Sequence, residues 1–219
     1  MIMRKLSFIT LLISVALFTS CKQPYGDPQP ITVKTGTDTS VTISGVAYPV
    51  VQIGSQSWTS VNYNGPGGIF NTGNVVQNLF DGKLYTPLEA SQIVVPTGWR
   101  IPTYDDYLTL LITRGATKNS DGSYSAKLYV AESLMDNTGW SEGDGNNYSK
   151  FKALPTGFYH LNQYYGTGNG ASFLLSYAAG TAPDQAFTIG PGPDGKPFIY
   201  LGVALLDEDR CSIRFVKNN

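Results

Sequence analysis

Alternating apolar and polar positions begin near residue 41 and predict a series of short β-strands. Val41-Thr42-Ile43 and the run over 46–53 are separated by Ser44-Gly45 and end at Gly54-Ser55, a pattern that indicates an opening hairpin. Further strand-like runs occupy 151–158, 172–178, 186–189, 198–205 and 212–216. Pro193-Asp194-Gly195 predicts the turn between two of these strands. The Asn, Gly and Pro content of 64–74 predicts a loop.

Two helices carry clear start signals. Thr86 precedes Pro87, and Glu89 follows three residues after Thr86, which is the spacing of a capping box with proline at the first helical position. Thr103 and Asp106 repeat the capping spacing ahead of a second helix. The apolar positions of this second helix fall at i, i+3, i+4 and i+7, namely Tyr104, Tyr107, Leu108 and Leu111.

The order of these elements favours an α+β fold. Strands come first and last, with helices between them and a third helical spacing over 127–135. The strand-like runs are too short and too close together for parallel crossovers, so we expect a largely antiparallel sheet. The residues expected in the core are Trp58, Trp99, Leu108 and Leu111.

Residues 1–21 have the pattern of a secretory signal. Arg4 and Lys5 precede an apolar run over 6–18, which is shorter than the roughly 20 residues of a membrane-spanning helix. Cys21 follows this run in a pattern that resembles the bacterial lipobox, in which the Cys becomes a lipidated N-terminus after cleavage. The alternative is an ordinary cleaved signal with an incidental Cys. We therefore expect a signal peptide at 1–20, lipid on Cys21, a Pro/Gly/Thr-rich tether over 21–39 and a domain over 40–219.

This reading predicts an outer-membrane lipoprotein that is attached to the membrane through its lipid, and it leaves open which side of that membrane the domain faces.

The charge balance excludes one class of partner. The chain has 15 Lys and Arg against 16 Asp and Glu, so it carries no basic excess for the phosphates of a nucleic acid. Charged residues make up only 14% of the chain, compared with about 25% in average soluble proteins. The surface is therefore expected to be wetted mainly by hydroxyl and amide groups.

Several segments together resemble the Fibrobacter succinogenes major paralogous domain, which occurs in secreted and lipid-anchored bacterial proteins. The matching blocks are Val41–Gly45, Val50–Trp58, Gly82–Tyr85, Pro96–Thr103, Ala153–Gly157 and Ser212–Lys217. The block over 99–103 also resembles its counterpart in formylglycine-generating enzymes. The resemblance implies a C-type-lectin-like architecture, with two helices packed on antiparallel sheets and a long loop-rich face. The chain departs from the family at Trp58-Thr59, at Val61-Asn62-Tyr63, at 173–176 and at Phe215, where the family has its closing Cys.

The residues available for catalysis favour a protein that is not an enzyme. His160 is the only imidazole in the chain, so a metal site built from several histidines is impossible. After signal cleavage and lipidation Cys21 is blocked, and Cys211 is the one remaining thiol. The chemistry of formylglycine-generating enzymes uses a pair of cysteines to hold copper, which one thiol cannot supply. We therefore expect no cofactor and no catalytic residue. Trp99 is expected to be buried, with Arg100 pairing locally at the corner before the second helix.

Two polar segments are candidates for surface contact. Residues 136–149 are rich in carboxylates and amides, and residues 160–170 combine two tyrosines with Asn and Gln. Tyrosine rings and amide groups suit sugar rings, which have apolar C–H faces and rims of hydroxyls. The predicted ligand-binding residues are Trp140, Asp144, Asn146, Tyr164 and Tyr165. Two alternatives are a Ca²⁺ site in the first segment, whose spacing matches no complete Ca²⁺ loop, and solvated loops with no ligand.

The sequence therefore supports two hypotheses for function. The first is a non-catalytic, lipid-anchored binding or adhesion module of the cell surface that recognises glycan. The second is a structural or assembly component of a surface protein complex or appendage. The two polar segments are expected to lie near each other, with the aromatic residues in contact with the partner.

Overall fold

The computed structural model describes residues 39–71, 82–141, 143, 145–176 and 185–219, all of which belong to one compact unit. The expected signal peptide, Cys21 and nearly all of the expected tether lie outside the described residues. The strands are β1 Ser40–Ile43, β2 Val46–Ile53, β3 Gln56–Thr59, β4 Thr117–Lys118, β5 Tyr124–Ser125, β6 Phe158–His160, β7 Gln163–Tyr165, β8 Ala171–Leu174, β9 Gln185–Pro191, β10 Pro197–Ala204 and β11 Val216–Asn218. The helices are α1 Pro87–Ser91, α2 Tyr104–Thr113 and α3 Leu128–Leu134.

The opening hairpin is confirmed and forms part of a four-stranded antiparallel sheet. The strand order is β1-β2-β3-β11, so the C-terminal strand closes the sheet against β3. The predicted strand over 212–216 was placed too early, since β11 begins at Val216. Before that point, successive residues pair with different neighbours, as in the isolated bridges of Cys211 with Tyr85 and of Ser212 with Phe173. Those residues are extended, but they do not share one partner strand.

A second antiparallel sheet has the order β10-β9-β8, and it contains the strands expected near 172, 186 and 198. Residues 177 and 178 of the first of these predictions lie outside the described residues. The expected turn at 193–195 joins β9 to β10. Helices α2 and α3 both pack against β10. Two smaller ribbons, β4-β5 and β6-β7, complete the described strands.

The predicted strand over 151–158 is wrong for most of its length, because regular pairing begins only at Phe158. Phe151 is fully buried, and Lys152 has a positive φ of 59° that a strand residue does not adopt. The carbonyls of both residues accept hydrogen bonds from the guanidinium of Arg214 rather than from a neighbouring strand. The buried side chain of Arg214 therefore supplies the hydrogen bonds that a neighbouring strand would otherwise make to these two carbonyls.

The capped helices begin where the sequence predicts. In α1, Thr86 accepts from the N–H of Glu89 and the Glu89 carboxylate accepts from the N–H of Thr86. In α2, Thr103 and Asp106 make the same reciprocal pair. The helix expected over 127–135 is α3. The described elements thus include the three helices that the sequence pattern predicts, one more than the two that the family resemblance implies. Helix α1 buries only Ala90. None of the helices in the described part of the chain has the length and hydropathy of a membrane span.

The core prediction is confirmed for three of its four residues. Trp58, Trp99 and Leu111 are buried, whereas Leu108 is only half-buried. The buried face of α2 is formed instead by Tyr107, Leu110 and Leu111, and Tyr104 is 39% exposed. The apolar face is therefore rotated from the one expected, which leaves Tyr104 and Leu108 at its margin. The α+β class with antiparallel sheets is what the structure shows.

Candidate functional site

The β6-β7 ribbon carries the two tyrosines that the sequence singled out. Its strands pair in the register Phe158 with Tyr165, Tyr159 with Tyr164, and His160 with Gln163. The two loop residues both have positive φ, 46° at Leu161 and 62° at Asn162, which is the backbone of a type I′ turn. Asn tolerates this conformation, but Leu does so at a cost. Leu161 nevertheless leaves 66% of its surface exposed at the tip of the ribbon.

The two predicted tyrosines lie on opposite faces of this ribbon, because successive residues of a strand alternate. Tyr164 shares its face with Tyr159, and their ring centroids are 5.0 Å apart. Tyr165 is on the other face, 5.7 Å from the ring of Phe158 and 5.9 Å from that of His160. One flat ligand therefore cannot lie on Tyr164 and Tyr165 together.

The edge of β6 that does not pair with β7 is attached to the turn over 205–210. The N–H groups of Tyr159 and Arg210 each donate to the carbonyl of the other residue at 2.9 Å. His160 Nδ1 is 2.7 Å from Oδ1 of the buried Asp209. The second carboxylate oxygen of Asp209 accepts from the N–H of Leu206, so it also closes the turn. His160 thus holds two backbone segments together.

A cleft of about 790 Å³ lies between the ribbon and this turn, and we call it the hairpin cleft. The residues that line it include Tyr159, Leu161, Asn162, Leu206, Asp207 and Glu208. Its volume is in the range of ordinary small-molecule sites. The cleft therefore combines one aromatic ring, one amide, two exposed carboxylates and two exposed leucines with the guanidinium of Arg210.

An ion pair fixes one side of the cleft. Arg210 Nη1 donates to Oε2 of Glu89 at 2.6 Å. Burial alone would raise the pKa of Glu89, but hydrogen bonds from Thr86 and Arg210 together hold that pKa below its ordinary value. Glu89 is therefore a carboxylate at neutral pH. It ties the start of α1 to the residue that also bridges Tyr159.

The first polar segment is built around buried groups. Trp140 is half-buried against the larger core cluster, and its indole N–H donates to the carbonyl of Ala153 at 3.3 Å. Asn146 is exposed and its side-chain oxygen accepts from the N–H of Tyr148, while Asp144 lies outside the described residues. The Asp136 carboxylate is buried and accepts from the N–H of Asn137. In the described part of the chain no three His, Cys, Asp or Glu side chains are grouped as metal ligands.

The two polar segments do lie beside each other, as expected. The N–H of Ser141 donates to the carbonyl of Gly168 at 2.7 Å, which joins the first segment to the second. This contact lies beside Trp140. The assignment of Trp140, Asn146, Tyr164 and Tyr165 as ligand contacts stays a prediction.

Cys211 is unsuited to nucleophilic chemistry. Its side chain is fully buried in the smaller core cluster, beside Tyr85 and Ile213. Burial raises the pKa of its thiol well above the ordinary value, and the nearby Asp209 adds to the shift. The thiol therefore stays protonated at neutral pH and packs as a small apolar group.

Sequence reasoning missed Tyr159, Asp207 and Glu208. Tyr159 lies between the run over 151–158, which was interpreted as a strand, and the polar segment that begins at His160. Two leucines followed by Asp207, Glu208 and Asp209 form an abrupt change from apolar to acidic residues that could have indicated a surface turn. Nothing in the local sequence indicates that this turn faces the ribbon.

In comparisons with protein-family models, curated proteins and solved structures, nothing matches this chain.

Proposed function

We propose that the protein is a non-catalytic, lipid-anchored binding module of the bacterial outer membrane that recognises glycan through the hairpin cleft. The observation that carries this proposal is the convergence of Tyr159, Asn162, Asp207 and Glu208 on one open cleft. The tyrosine comes from a strand and the amide from a tight turn, while the carboxylates come from a separate loop. Such a mixed lining is typical of small-ligand sites, in which a few polar groups fix the orientation of the ligand.

The chemistry of these side chains suits a sugar. Carboxylate oxygens accept hydrogen bonds from hydroxyl groups, and an amide both donates and accepts. An aromatic ring packs on the apolar C–H face of a pyranose. Asp207 and Glu208 are exposed and make no ion pair with another described side chain. Their negative charge favours a neutral or cationic glycan over an anionic one.

The geometry of the reactive side chains supports a binding role rather than catalysis. The imidazole of His160 is committed to Asp209, and the thiol of Cys211 is buried and protonated at neutral pH. Within this proposal the α+β arrangement is C-type-lectin-like and of the Fibrobacter succinogenes major paralogous type. That finer assignment rests on the sequence blocks named above.

A second candidate function is a structural component of a surface complex, and one observation favours it. Leu161 and Leu206, which line the hairpin cleft, are 66% and 54% exposed. Leucines that flank a cleft are suited to burial by a protein partner. In this alternative the carboxylates would pair with basic residues of the partner.

The lipid anchor predicts the first experiment. Replacing Cys21 by Ser removes the thiol that would carry the lipid. The variant should lose palmitate labelling, because Cys21 is the residue that would carry the lipid. It should also leave the membrane fraction, because stable attachment requires more than one acyl chain and the variant would carry none. Replacing the buried Cys211 by Ser provides the control, and that variant should still be labelled. Palmitate labelling that persists in the Cys21 variant would contradict the lipobox interpretation.

The hairpin cleft predicts the second experiment. Glycans that bind the protein on an array of neutral and anionic oligosaccharides would be titrated by calorimetry against Tyr159→Leu and Glu208→Gln. Each substitution should weaken binding, and Tyr159→Leu at least about tenfold, because a buried aromatic contact is worth about 2 kcal/mol or more.

The matched control for this titration is Tyr165→Ala, since Tyr165 lies on the opposite face of the same ribbon and is 39% exposed. Its affinity should be unchanged. A loss with Tyr165→Ala and none with Tyr159→Leu would move the site to the other face of the ribbon. If no glycan binds, and Leu161→Ser abolishes co-purification of a protein partner, the assembly alternative replaces the glycan proposal.

A further inference from the structure

Among the described residues, the sheet β10-β9-β8 has one edge that continues into further pairing and one edge with no paired strand. Strand β8 continues beyond the sheet through bridges from Phe173 to Ser212 and from Ala171 to Gly157. On the other side, no described strand pairs with the outer edge of β10. Open strand edges present unpaired N–H and C=O groups and are templates for another strand.

The hairpin between β9 and β10 determines which backbone groups point outward. The N–H of Gly192 donates to the carbonyl of Lys196, so residue 196 faces β9. Residues of an antiparallel strand alternate between facing the partner and facing away. Residues 198 and 200 therefore face β9, whereas Ile199 and Leu201 present both N–H and C=O to the open edge. Pro197 has no N–H, and a β-bulge after Leu201 ends the regular row.

A groove of about 520 Å³ follows this edge, and we call it the edge groove. The residues that line it include Tyr104, Leu108, Tyr124, Ser125, Phe198 and Leu201. Three of these residues are aromatic and partly exposed, with Tyr104 at 39%, Tyr124 at 37% and Phe198 at 46%. None of the described side chains that line the groove is charged. Tyr104 and Leu108, which the sequence pattern put on the apolar face of α2, belong to this groove.

The wall opposite β10 is formed in part by the β4-β5 hairpin, which is held by its own hydrogen bonds. The Asn119 amide nitrogen donates to the hydroxyls of Ser123 and Ser125, both at 2.8 Å. The Asp121 carboxylate accepts from the N–H of Ser123. Hydrogen bonds to Ser123 hold the pKa of Asp121 below its ordinary value, so that acceptor stays ionised. The wall is therefore in place without a ligand.

We propose that the edge groove is a strand-addition site for an extended, uncharged segment of another protein. The segment would add to the sheet by hydrogen bonds to the N–H and C=O groups of Ile199 and Leu201. Its alternate side chains would insert between Leu108 and the aromatic rings. Main-chain hydrogen bonds supply affinity in this mode of recognition, and pockets for alternate side chains supply specificity. The proposal is independent of the hairpin cleft, whose lining residues are different.

The occupant is a single extended segment rather than a second copy of β10. Residues of β10 line the same groove as residues of α2 and of the β4-β5 hairpin, so a strand that adds to this edge must fit between β10 and these walls. Paired strands lie about 4.8 Å apart, so the added segment must come that close to β10. A free peptide can do so inside a groove. In a second copy, α2 and the β4-β5 hairpin would flank the approaching β10 strand in the same way. They would have to pass the walls of the first groove before the two strands could pair. The uncharged lining favours a segment without Lys, Arg, Asp or Glu, because no side chain that lines the groove would form an ion pair with it.

The test uses amide hydrogen exchange of the full protein in detergent, measured residue by residue by NMR. The probes are hexapeptides in which Thr alternates with Val, Leu, Phe or Tyr, with blocked termini. In the free protein the amides of Ile199 and Leu201 should exchange quickly, and those of Phe198 and Tyr200 slowly. A bound peptide should slow exchange at Ile199 and Leu201 at least tenfold. The same peptides with alternate backbone nitrogens methylated should give no protection.

A proline substitution distinguishes the contribution of the backbone N–H to peptide binding from that of the side chain. Leu201→Pro removes the outward N–H, and Leu201→Ala keeps it while removing most of the same side chain. Binding should be lost in the Pro variant and retained in the Ala variant, with thermal midpoints compared to confirm that both fold. The proposal is overturned if no peptide protects these amides at millimolar concentration. It is also overturned if the amides become protected without peptide as protein concentration rises, which would identify a second copy as the occupant.

Discussion

Replacing Arg214 by Met should destabilise the domain by about 4 kcal/mol or more, a large part of the 5–15 kcal/mol that holds a typical domain folded. Arg214 is fully buried. Its guanidinium donates to Oδ1 of Asn62 at 2.6 Å and to the carbonyls of Thr59, Phe151 and Lys152 at 2.7–2.8 Å. The cation also lies 4.7 Å from the ring centroid of Phe151 and 5.4 Å from that of Phe173.

Two opposing effects decide the size of this loss. Burial lowers the pKa of Arg214 from 12.5 to about 9, because the charge has left water, so its burial costs free energy at neutral pH. The four hydrogen bonds from a charged donor are each worth about 1.5–3 kcal/mol. Met fills similar space but donates no hydrogen bond to any of the four acceptors. We expect the loss of hydrogen bonds to exceed the gain from removing a buried charge.

The measurement is urea denaturation at pH 7, with Arg214→Lys as the matched variant. Lys keeps the charge but has three donors and no planar fork, so it cannot reproduce all four contacts and should cost about 2–3 kcal/mol. The slope of free energy against urea should remain that of the unmodified protein in both variants. A Met variant as stable as the unmodified protein would mean that desolvation of the charge outweighs its hydrogen bonds.

The helix starts could be predicted from the sequence because capping is local. Thr86 and Glu89, like Thr103 and Asp106, are three residues apart, so one short window contains both halves of each contact. The opening hairpin was predictable for the same reason, since its strands are adjacent along the chain.

The role of Arg214 could not be predicted because its partners are distant in sequence. Its contacts reach Asn62 and Thr59, more than 150 residues earlier, and the loop at 151–152, more than 60 residues earlier. The same contacts explain why 151–158 was mistaken for a strand. A run with apolar residues at alternate positions looks like a strand even when a buried guanidinium satisfies its carbonyls.

The candidate site was only partly predictable. Composition directed attention to the region of Tyr164 and Tyr165, but the opposite orientations of these two side chains follow only from the pairing of β6 with β7. The carboxylates of Asp207 and Glu208 lie at the same place because the bridge between Tyr159 and Arg210 and the contact of His160 with Asp209 join the turn to the ribbon. The orientation of α2 likewise depends on which of its faces meets the sheet. The spacing of apolar residues alone could not show that Leu110 is buried and Leu108 is not.

Replacing Asp106 by Ala should cost about 3–5 kcal/mol, because it removes the acceptor that several elements share. Oδ2 of Asp106 accepts from the N–H of Thr103 at 2.9 Å and from Nε of Arg100 at 3.0 Å. Oδ1 accepts from the amide of Gln56 at 2.9 Å and from Nη2 of Arg100. Asp106 is only 5% exposed, and Arg100 also donates to the side chain of Asn218.

This one carboxylate therefore connects the start of α2 to β3 and, through Arg100, to the C-terminal strand. Removing it leaves the buried amide of Gln56 without this acceptor and breaks the hydrogen bonds from Arg100 and Thr103, and a hydrogen bond to a charged acceptor is worth about 1.5–3 kcal/mol. The side chain of Arg100 is 35% exposed, so water replaces part of what it loses. Asp105 provides the matched control, since it lies in the same first turn and is exposed. Asp105→Ala should cost less than about 1 kcal/mol, which is the usual effect of a charge near a helix start. Asp106→Asn keeps one acceptor oxygen and should fall between the two in urea denaturation. Equal losses for Asp105→Ala and Asp106→Ala would mean that only the helix dipole is at work and that the Arg100 corner does not hold the sheet to α2.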